Sequence, residues 1–230
     1  MKWRRLLLGS LFVPLILLVG MVVYGHYRTI KPELTFVHID ISAAAKKGSA
    51  TAALTIVEFA DYQCPFCADQ ARKVLPTLEA NYIATGKVQY VFMNFPLPIH
   101  EFAPKAANAA ACAGDQGKFW QMHDLLFTTG EIALEQLYEQ ARRLHLEPDL
   151  FHSCIDSGKH NMDIADDHAQ GLRAHVHGTP TLFIGRAEQQ LVAATAKFTG
   201  EVSYRSLRHA IDDLLVDASA YNANETTTAF

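Results

Sequence analysis

The sequence predicts an α/β fold in which an all-helical stretch interrupts a sheet. Three observations carry this reading. Leu54 to Ala60 is a short, partly β-branched apolar run of strand length, and apolar residues at helical spacing (Ala71, Val74, Leu75, Leu78, Tyr82) follow it from Cys67 to Ile83. From Glu101 to Leu172 the composition turns helical, with Gly and Pro separating the segments. Strand character returns at Thr181 to Ile184, ahead of a last amphipathic segment. With 230 residues, 50% of them hydrophobic, the chain can bury a full core without staples.

Taken in order, Lys2, Arg4 and Arg5 precede Leu6 to Tyr24, a run of 19 residues without a charge. That length suits a membrane span better than a short signal segment, and no small-x-small cleavage pattern follows in Val22 to His26. Residues 1–25 are therefore expected to form an anchor, with a cleaved signal peptide as the alternative. Basic residues ahead of the span orient the N-terminus inside and the remainder outside, although Arg28 and Lys31 weaken the asymmetry. Residues 26–50 read as a tether with an edge strand over Leu34 to Ile41. Residues 51–95 hold the first half of the sheet, closing on Lys87 to Phe95, which Pro96 and Pro98 terminate. Residues 96–177 form the insertion, with helices expected over Ala103 to Ala113, Lys118 to Leu126, Glu131 to Leu144 and Met162 to Leu172. Residues 178–217 complete the sheet, with a turn at Gly185 to Glu188, a partner strand near Gln190 to Ala194 and a helix from Val202 to Leu215. Residues 218–230 read as a flexible polar tail.

Charge divides along the same line. Residues 1–32 hold five of the 20 Lys and Arg and none of the 24 acids, so the remainder carries 15 basic and 24 acidic residues, a net −9. An acidic exported part argues against nucleic-acid binding, which wants a basic face. Four cysteines in an exported chain read as disulfides. They form two sets, Cys64 with Cys67 and Cys112 with Cys154. A zinc site built from Cys112, Cys154, His123 or His152 lacks the short paired spacing of structural zinc motifs, so no metal is expected.

Cys64-Pro65-Phe66-Cys67 lies at the junction of strand and helix. Pro65 suits the first helical position, where its missing N–H costs nothing, and this puts Cys64 at the helix N-terminus. Unpaired N–H groups and the positive end of the dipole there favour a thiolate, marking Cys64 as the attacking sulfur. Cys67, one turn on, can resolve a mixed disulfide formed on Cys64.

Three segments in this order, Thr55 to Cys67, Cys112 to Trp120 and Gly178-Thr179-Pro180-Thr181, resemble the DsbA-like thiol:disulfide oxidoreductases over residues 50–216. The resemblance implies a thioredoxin fold interrupted by an all-helical insertion, with no cofactor. It implies a cis bond at Thr179-Pro180 that turns backbone groups towards the sulfurs, where a substrate segment can pair as an added strand. It also places a buried acid at Glu58. A carboxyl desolvated beneath the cysteines has a raised pKa and can exchange a proton with Cys67. Phe66 brings no charge to the motif, whereas family members with His there have one more donor for the thiolate. His175 and His177, beside the Thr179-Pro180 loop, are candidate pKa modulators of Cys64. Cys112 and Cys154 are expected to form a second, structural disulfide. Tyr62, Phe66, Met93 and Phe95 are candidates for an apolar groove.

The implied activity is introduction of disulfides into secreted or envelope proteins outside the cytoplasm. The implied partners are unfolded or reduced exported proteins and a membrane quinone-linked thiol oxidase as reoxidant. A monomer is expected. Two alternatives remain open at this point: a reductase or isomerase of the same fold, suggested by Thr179, and a non-catalytic chaperone or interaction domain.

Overall fold

The computed structural model describes residues 31–227, with side chains to residue 216. The expected anchor over residues 1–25 lies outside the described residues. Among those described, no helix is long and apolar enough to cross a membrane.

Six strands form one mixed sheet: β1 Glu33–Asp40, β2 Ala45–Lys47, β3 Leu54–Ala60, β4 Val88–Asn94, β5 Thr181–Glu188 and β6 Leu191–Thr199. Their spatial order is β1-β6-β5-β3-β4-β2, with β3 and β4 parallel and every other pairing antiparallel. Every residue of β3 and β4 is buried. This explains their near-continuous apolar sequences, because both faces of a central parallel pair are covered. On one face Leu54, Ile56, Val88 and Tyr90 pack against the active-site helix and the C-terminal helix; on the other, Val57, Phe59, Val91 and Met93 pack with Ile39, Ala174, Val176 and Phe183. The edge strand expected over Leu34 to Ile41 is β1. β2, only three residues of Ala and Lys on the opposite edge, gives no pattern in the sequence.

The helix after β3 is not uniform. It runs as α1 Pro65–Asp69, a π-turn Gln70–Val74, α2 Leu75–Leu78 and a second π-turn Glu79–Ile83. Pro76 lies inside it and has no N–H to give an α-helical ladder, so hydrogen bonding shifts to the wider spacing around it. Gln70, buried in the first π-turn, uses its Oε1 to accept the Val202 N–H at 3.1 Å. The active-site helix is thereby tied to the end of the sheet.

The insertion is α3 Ala103–Gly114, α4 Phe119–Thr129, α5 Leu134–Arg143, α6 Pro148–Ser157 and α7 Asn161–Arg173. The sequence pattern misses α6, a ten-residue helix with three buried residues, Phe151, Cys154 and Ile155. Its core of Ala, Leu and Phe side chains is continuous with Tyr62, Cys64, Cys67 and Phe92. The insertion thus forms one wall around the cysteines.

The expected turn at Gly185 to Glu188 is displaced: β5 continues to Glu188 and the chain reverses at Gln189-Gln190, with Gln189 at φ 59°. Gly185 sits at a β-bulge, where a Cβ would lie 2.1 Å from the Ala193 carbonyl oxygen. It is needed for close backbone approach, not for a turn. Gly185→Ala is expected to destabilise the fold by about 3 kcal/mol, the upper part of the usual overpacking range, seen as a lower urea midpoint. The last helix, α8, runs Tyr204–Thr227, into the residues expected as a flexible tail. No Gly or Pro stands in that stretch to stop it.

Candidate active site

The site forms where β3 runs out. The chain turns at Asp61 to Gln63, and Cys64 becomes the N-cap of α1 with extended backbone, φ −77° and ψ 122°. Pro65 follows at the start of the helix, and no side chain caps this end. The N–H groups of Phe66 and Cys67 therefore point at the Cys64 sulfur, which they help to keep ionised.

Both cysteines are free thiols, and their environments drive them apart. The Cys64 thiol is pulled down to about 5, chiefly by a hydrogen bond from Cys67, with Thr179 and the two backbone N–H groups outweighing the cost of burial. Its Sγ lies 3.3 Å from the Thr179 carbonyl oxygen. Cys67 is fully buried, and burial pushes its thiol well up, reinforced by the bond to Cys64 and by Glu58. At neutral pH the pair is one thiolate and one protonated donor.

Glu58 is buried on β3, and desolvation raises its carboxyl to about 8, with the Cys64 charge adding to the shift. The Tyr90 hydroxyl donates to Glu58 Oε2. Register explains the pairing: Glu58 stands opposite Phe92 on β4, and Tyr90 is the next residue along the same face. Glu58 is thus a neutral acid at pH 7, within electrostatic reach of both sulfurs.

Asp61 organises the turn in front of the cysteines. Its buried carboxylate accepts the Gln63 N–H at 2.7 Å, the Leu97 N–H at 2.7 Å and a hydrogen bond with His100 Nδ1 at 2.8 Å. The Gln63 side chain accepts the Phe102 N–H at 3.0 Å. The segment after β4 is thereby clamped to the cysteine turn. Asp61, Tyr90 and His100 are not among the site residues expected from the sequence. Asp61 had a local signal, three residues before Cys64, whereas His100 and Tyr90 are joined to their partners only by tertiary register.

The Thr179–Pro180 bond is cis, both residues are buried, and β5 starts at Thr181. The Thr181 hydroxyl donates to the Gly178 carbonyl at 2.7 Å, fixing the loop. His175 and His177 precede this loop. Both are exposed, their rings stand 6.5 Å apart, and neither is among the groups that set the Cys64 thiol. His175 has φ 54°, and its carbonyl accepts the Lys197 ammonium at 2.9 Å.

The apolar groove also needs correction. Tyr62, Met93 and Phe95 are core residues, and only Phe66 of the four is exposed, at 56%. Aromatic character does not reveal which way a ring points, and these three pack inward. The exposed apolar side chains on the clamped segment are Ile99 and Phe102. Cys112 on α3 and Cys154 on α6 are joined in a disulfide with a Cα separation of 5.9 Å.

Among curated proteins, the Na(+)/H(+) antiporter NhaA 1 of Salinispora arenicola is 35% identical over 71% of this chain. The chain spans about a quarter of that relative's length, 26%. The probable disulfide bond formation protein D of Bacillus anthracis is 27% identical, with 79% of this chain and 88% of that protein covered. Among solved structures, alpha-DsbA1 of Wolbachia pipientis has a TM-score of 0.70 at 24% identity, covering 80% of this chain and 96% of its own. BdbD of Bacillus subtilis, in its oxidised form, has a TM-score of 0.68 at 19% identity, covering 79% and 97%. These likenesses show the same sheet-plus-insertion architecture. A family model described as thioredoxin matches residues 44–213, which is most of the chain and includes both the cysteine turn and the Thr179–Pro180 loop, so this protein belongs to the thioredoxin family.

Proposed function

We propose that this chain is an exported, membrane-tethered thiol:disulfide oxidoreductase that introduces disulfides into reduced secreted or envelope proteins through Cys64 and Cys67. The observation that carries the reading is the split between the two thiols, Cys64 drawn down to about 5 and Cys67 pushed well up. A low-pKa thiol is a good leaving group and stabilises the reduced form, which makes the disulfide a stronger oxidant.

The reaction starts from the Cys64–Cys67 disulfide. A substrate thiolate attacks Cys64 Sγ, a substrate–Cys64 bond forms, and the bond to Cys67 breaks. Cys67 leaves with the electron pair and takes a proton from Glu58, which regains one from solvent before Cys64 is released as a thiolate. A second substrate thiolate then attacks the substrate sulfur of the mixed disulfide, and Cys64 departs as a thiolate. The substrate has lost two electrons and the chain has gained them. A membrane quinone-linked thiol oxidase would take them away again. The name carried by the Bacillus relative, disulfide bond formation, supports the direction. The antiporter relatives are far longer than the segment matched, and their names describe proteins with a large part that this chain does not match.

The test is the reduction potential of the Cys64–Cys67 pair together with its redox state in the cell. A potential well above that of the glutathione pool and a mostly oxidised pair are expected; a reducing, mostly reduced pair would instead support a reductase or isomerase.

Glu58→Gln separates proton transfer from packing. Glu58 is neutral at pH 7, so Gln keeps the charge and can accept the Tyr90 hydroxyl in the same way. Folding stability is expected to change little. Mixed-disulfide formation should slow by about 100-fold, the usual scale for a lost general acid. In the native protein that rate, corrected for the thiolate fraction of the model thiol, should decline as Glu58 loses its proton, at a pH below the value of about 8 that it has beside the Cys64 thiolate, and the decline should vanish in the variant. Stopped-flow exchange with a model thiol across pH 6 to 9 reads both effects.

A further inference from the structure

The Cys112–Cys154 disulfide has neighbours that a purely structural staple does not need. His160, the N-cap residue of α7, brings its ring beside it, and ligand atoms of Cys112, Cys154 and His160 lie within 4.8 Å of one another. Asp115, at the C-cap of α3, places Oδ2 3.0 Å from His160 Nε2 and 3.7 Å from Cys154 Sγ. The other ring nitrogen, Nδ1, is 3.0 Å from Asp163 Oδ2. Asn108 holds the arrangement from behind, its Oδ1 accepting the His160 N–H at 3.2 Å and lying 3.8 Å from Cys112 Sγ.

We propose that the reduced form of this cluster is a zinc site, in which one Zn²⁺ replaces the disulfide as the link between α3 and α6. Two thiolates, one imidazole and one carboxylate are a suitable donor set for tetrahedral zinc. Around such an ion, with Zn–S near 2.3 Å and Zn–N near 2.0 Å, donor atoms sit ~3.6 to 3.8 Å apart. The present spacing needs only short movements once the S–S bond opens. Asp163 supplies the orienting partner found behind zinc-bound histidines: Nδ1–H donates to its carboxylate and leaves Nε2, which lies beside Asp115 Oδ2, to bind the ion together with that carboxylate. Lys159, whose Nζ lies 2.9 Å from Asp115 Oδ2, offsets the net negative charge that three anionic ligands leave around the metal. A cavity of about 310 Å³ is lined in part by Asp115, His160 and Asp163, on the carboxylate side of the cluster.

The redox step balances with an external dithiol as reductant. The dithiol closes to its own disulfide, and its two electrons and two protons convert the Cys112–Cys154 bond into two thiols. Zn²⁺ then displaces both thiol protons. The sequence could not show this site, because the short paired spacing of zinc motifs is absent and His160 enters only through the packing of α7 on α3.

The test uses the full chain with Cys64→Ser and Cys67→Ser, so that no other thiols compete. After reduction, one Zn²⁺ per chain is expected by chelator competition, with none bound to the oxidised protein, and Co²⁺ should give the visible absorption of a tetrahedral thiolate site. Adding His160→Ala should weaken binding at least tenfold, and Asp163→Asn about tenfold, as second-shell changes do. Absence of one-to-one binding after reduction, or an affinity unmoved by His160→Ala, overturns the proposal. Far-UV circular dichroism covers the case in which reduction unfolds the chain: refolding on Zn²⁺ addition supports the site, and failure to refold refutes it.

Discussion

At pH 7 the reduced protein will present Cys64 as a thiolate and Cys67 as a thiol. Thiolate absorbance at 240 nm, followed as pH is lowered, should titrate a single group with a midpoint of about 5. The sign of the stability effect follows. The folded value lies below the ordinary thiol value of 9.0, so the contribution is complete above pH 9 and disappears as pH falls through about 5. At pH 7 it amounts to about 3 kcal/mol in favour of the reduced fold, two units at 1.36 kcal/mol each. The disulfide form does not titrate and gains nothing. The same free energy should make the pair more oxidising by roughly 60 mV than one with an unshifted thiol, because 30 mV corresponds to about 1.4 kcal/mol for two electrons.

Glu58 makes this possible. A carboxylate buried beside the thiolate would add a second negative charge where solvent cannot screen it. With its carboxyl held at about 8, Glu58 stays neutral while Cys64 is charged. On oxidation the thiolate charge disappears and the Glu58 value should drop, while desolvation, the larger cause of the shift, persists. A Cys64 midpoint near 8 in the native protein would falsify this account of the site and the oxidase direction resting on it.

How far the sequence discloses these features depends on whether a residue's partner is local. Leu54 to Ala60 reads as a buried strand because burial on both faces removes polar residues, Glu58 and Thr55 aside, and Pro65 marks the helix start through its own backbone chemistry. Residues whose partners lie far along the chain are silent. His100 meets Asp61 across 39 positions and Tyr90 meets Glu58 across 32, through a sheet register that no local pattern specifies. Gly185 reads as a turn because glycine usually breaks strands, whereas the constraint comes from the Ala193 backbone on the neighbouring strand. Helix α6 gives no clear pattern because three buried side chains in ten residues make too weak a stripe.

Replacing both Cys112 and Cys154 with Ala is expected to lower stability by about 4 kcal/mol in the chain-entropy account, which depends on the 42-residue separation of the two cysteines. The loss comes mostly from freeing the unfolded chain, since two alanines fill the site with little clash. For a domain of ordinary stability this is a large fraction of the total. Its structural consequence is uneven. The disulfide joins α3 to α6, and α3 packs in the same core as Tyr62, Cys64 and Cys67. Local opening should therefore rise first in the insertion, leaving β3, β4 and β5 protected until global unfolding. Hydrogen exchange by mass spectrometry distinguishes this from a uniform loss. Faster exchange in α3 and α6 together with an unchanged Cys64 titration would show that the insertion stabilises the wall beside the site without setting its chemistry. A shift of the Cys64 midpoint in the double variant would mean instead that the wall itself holds the thiolate low.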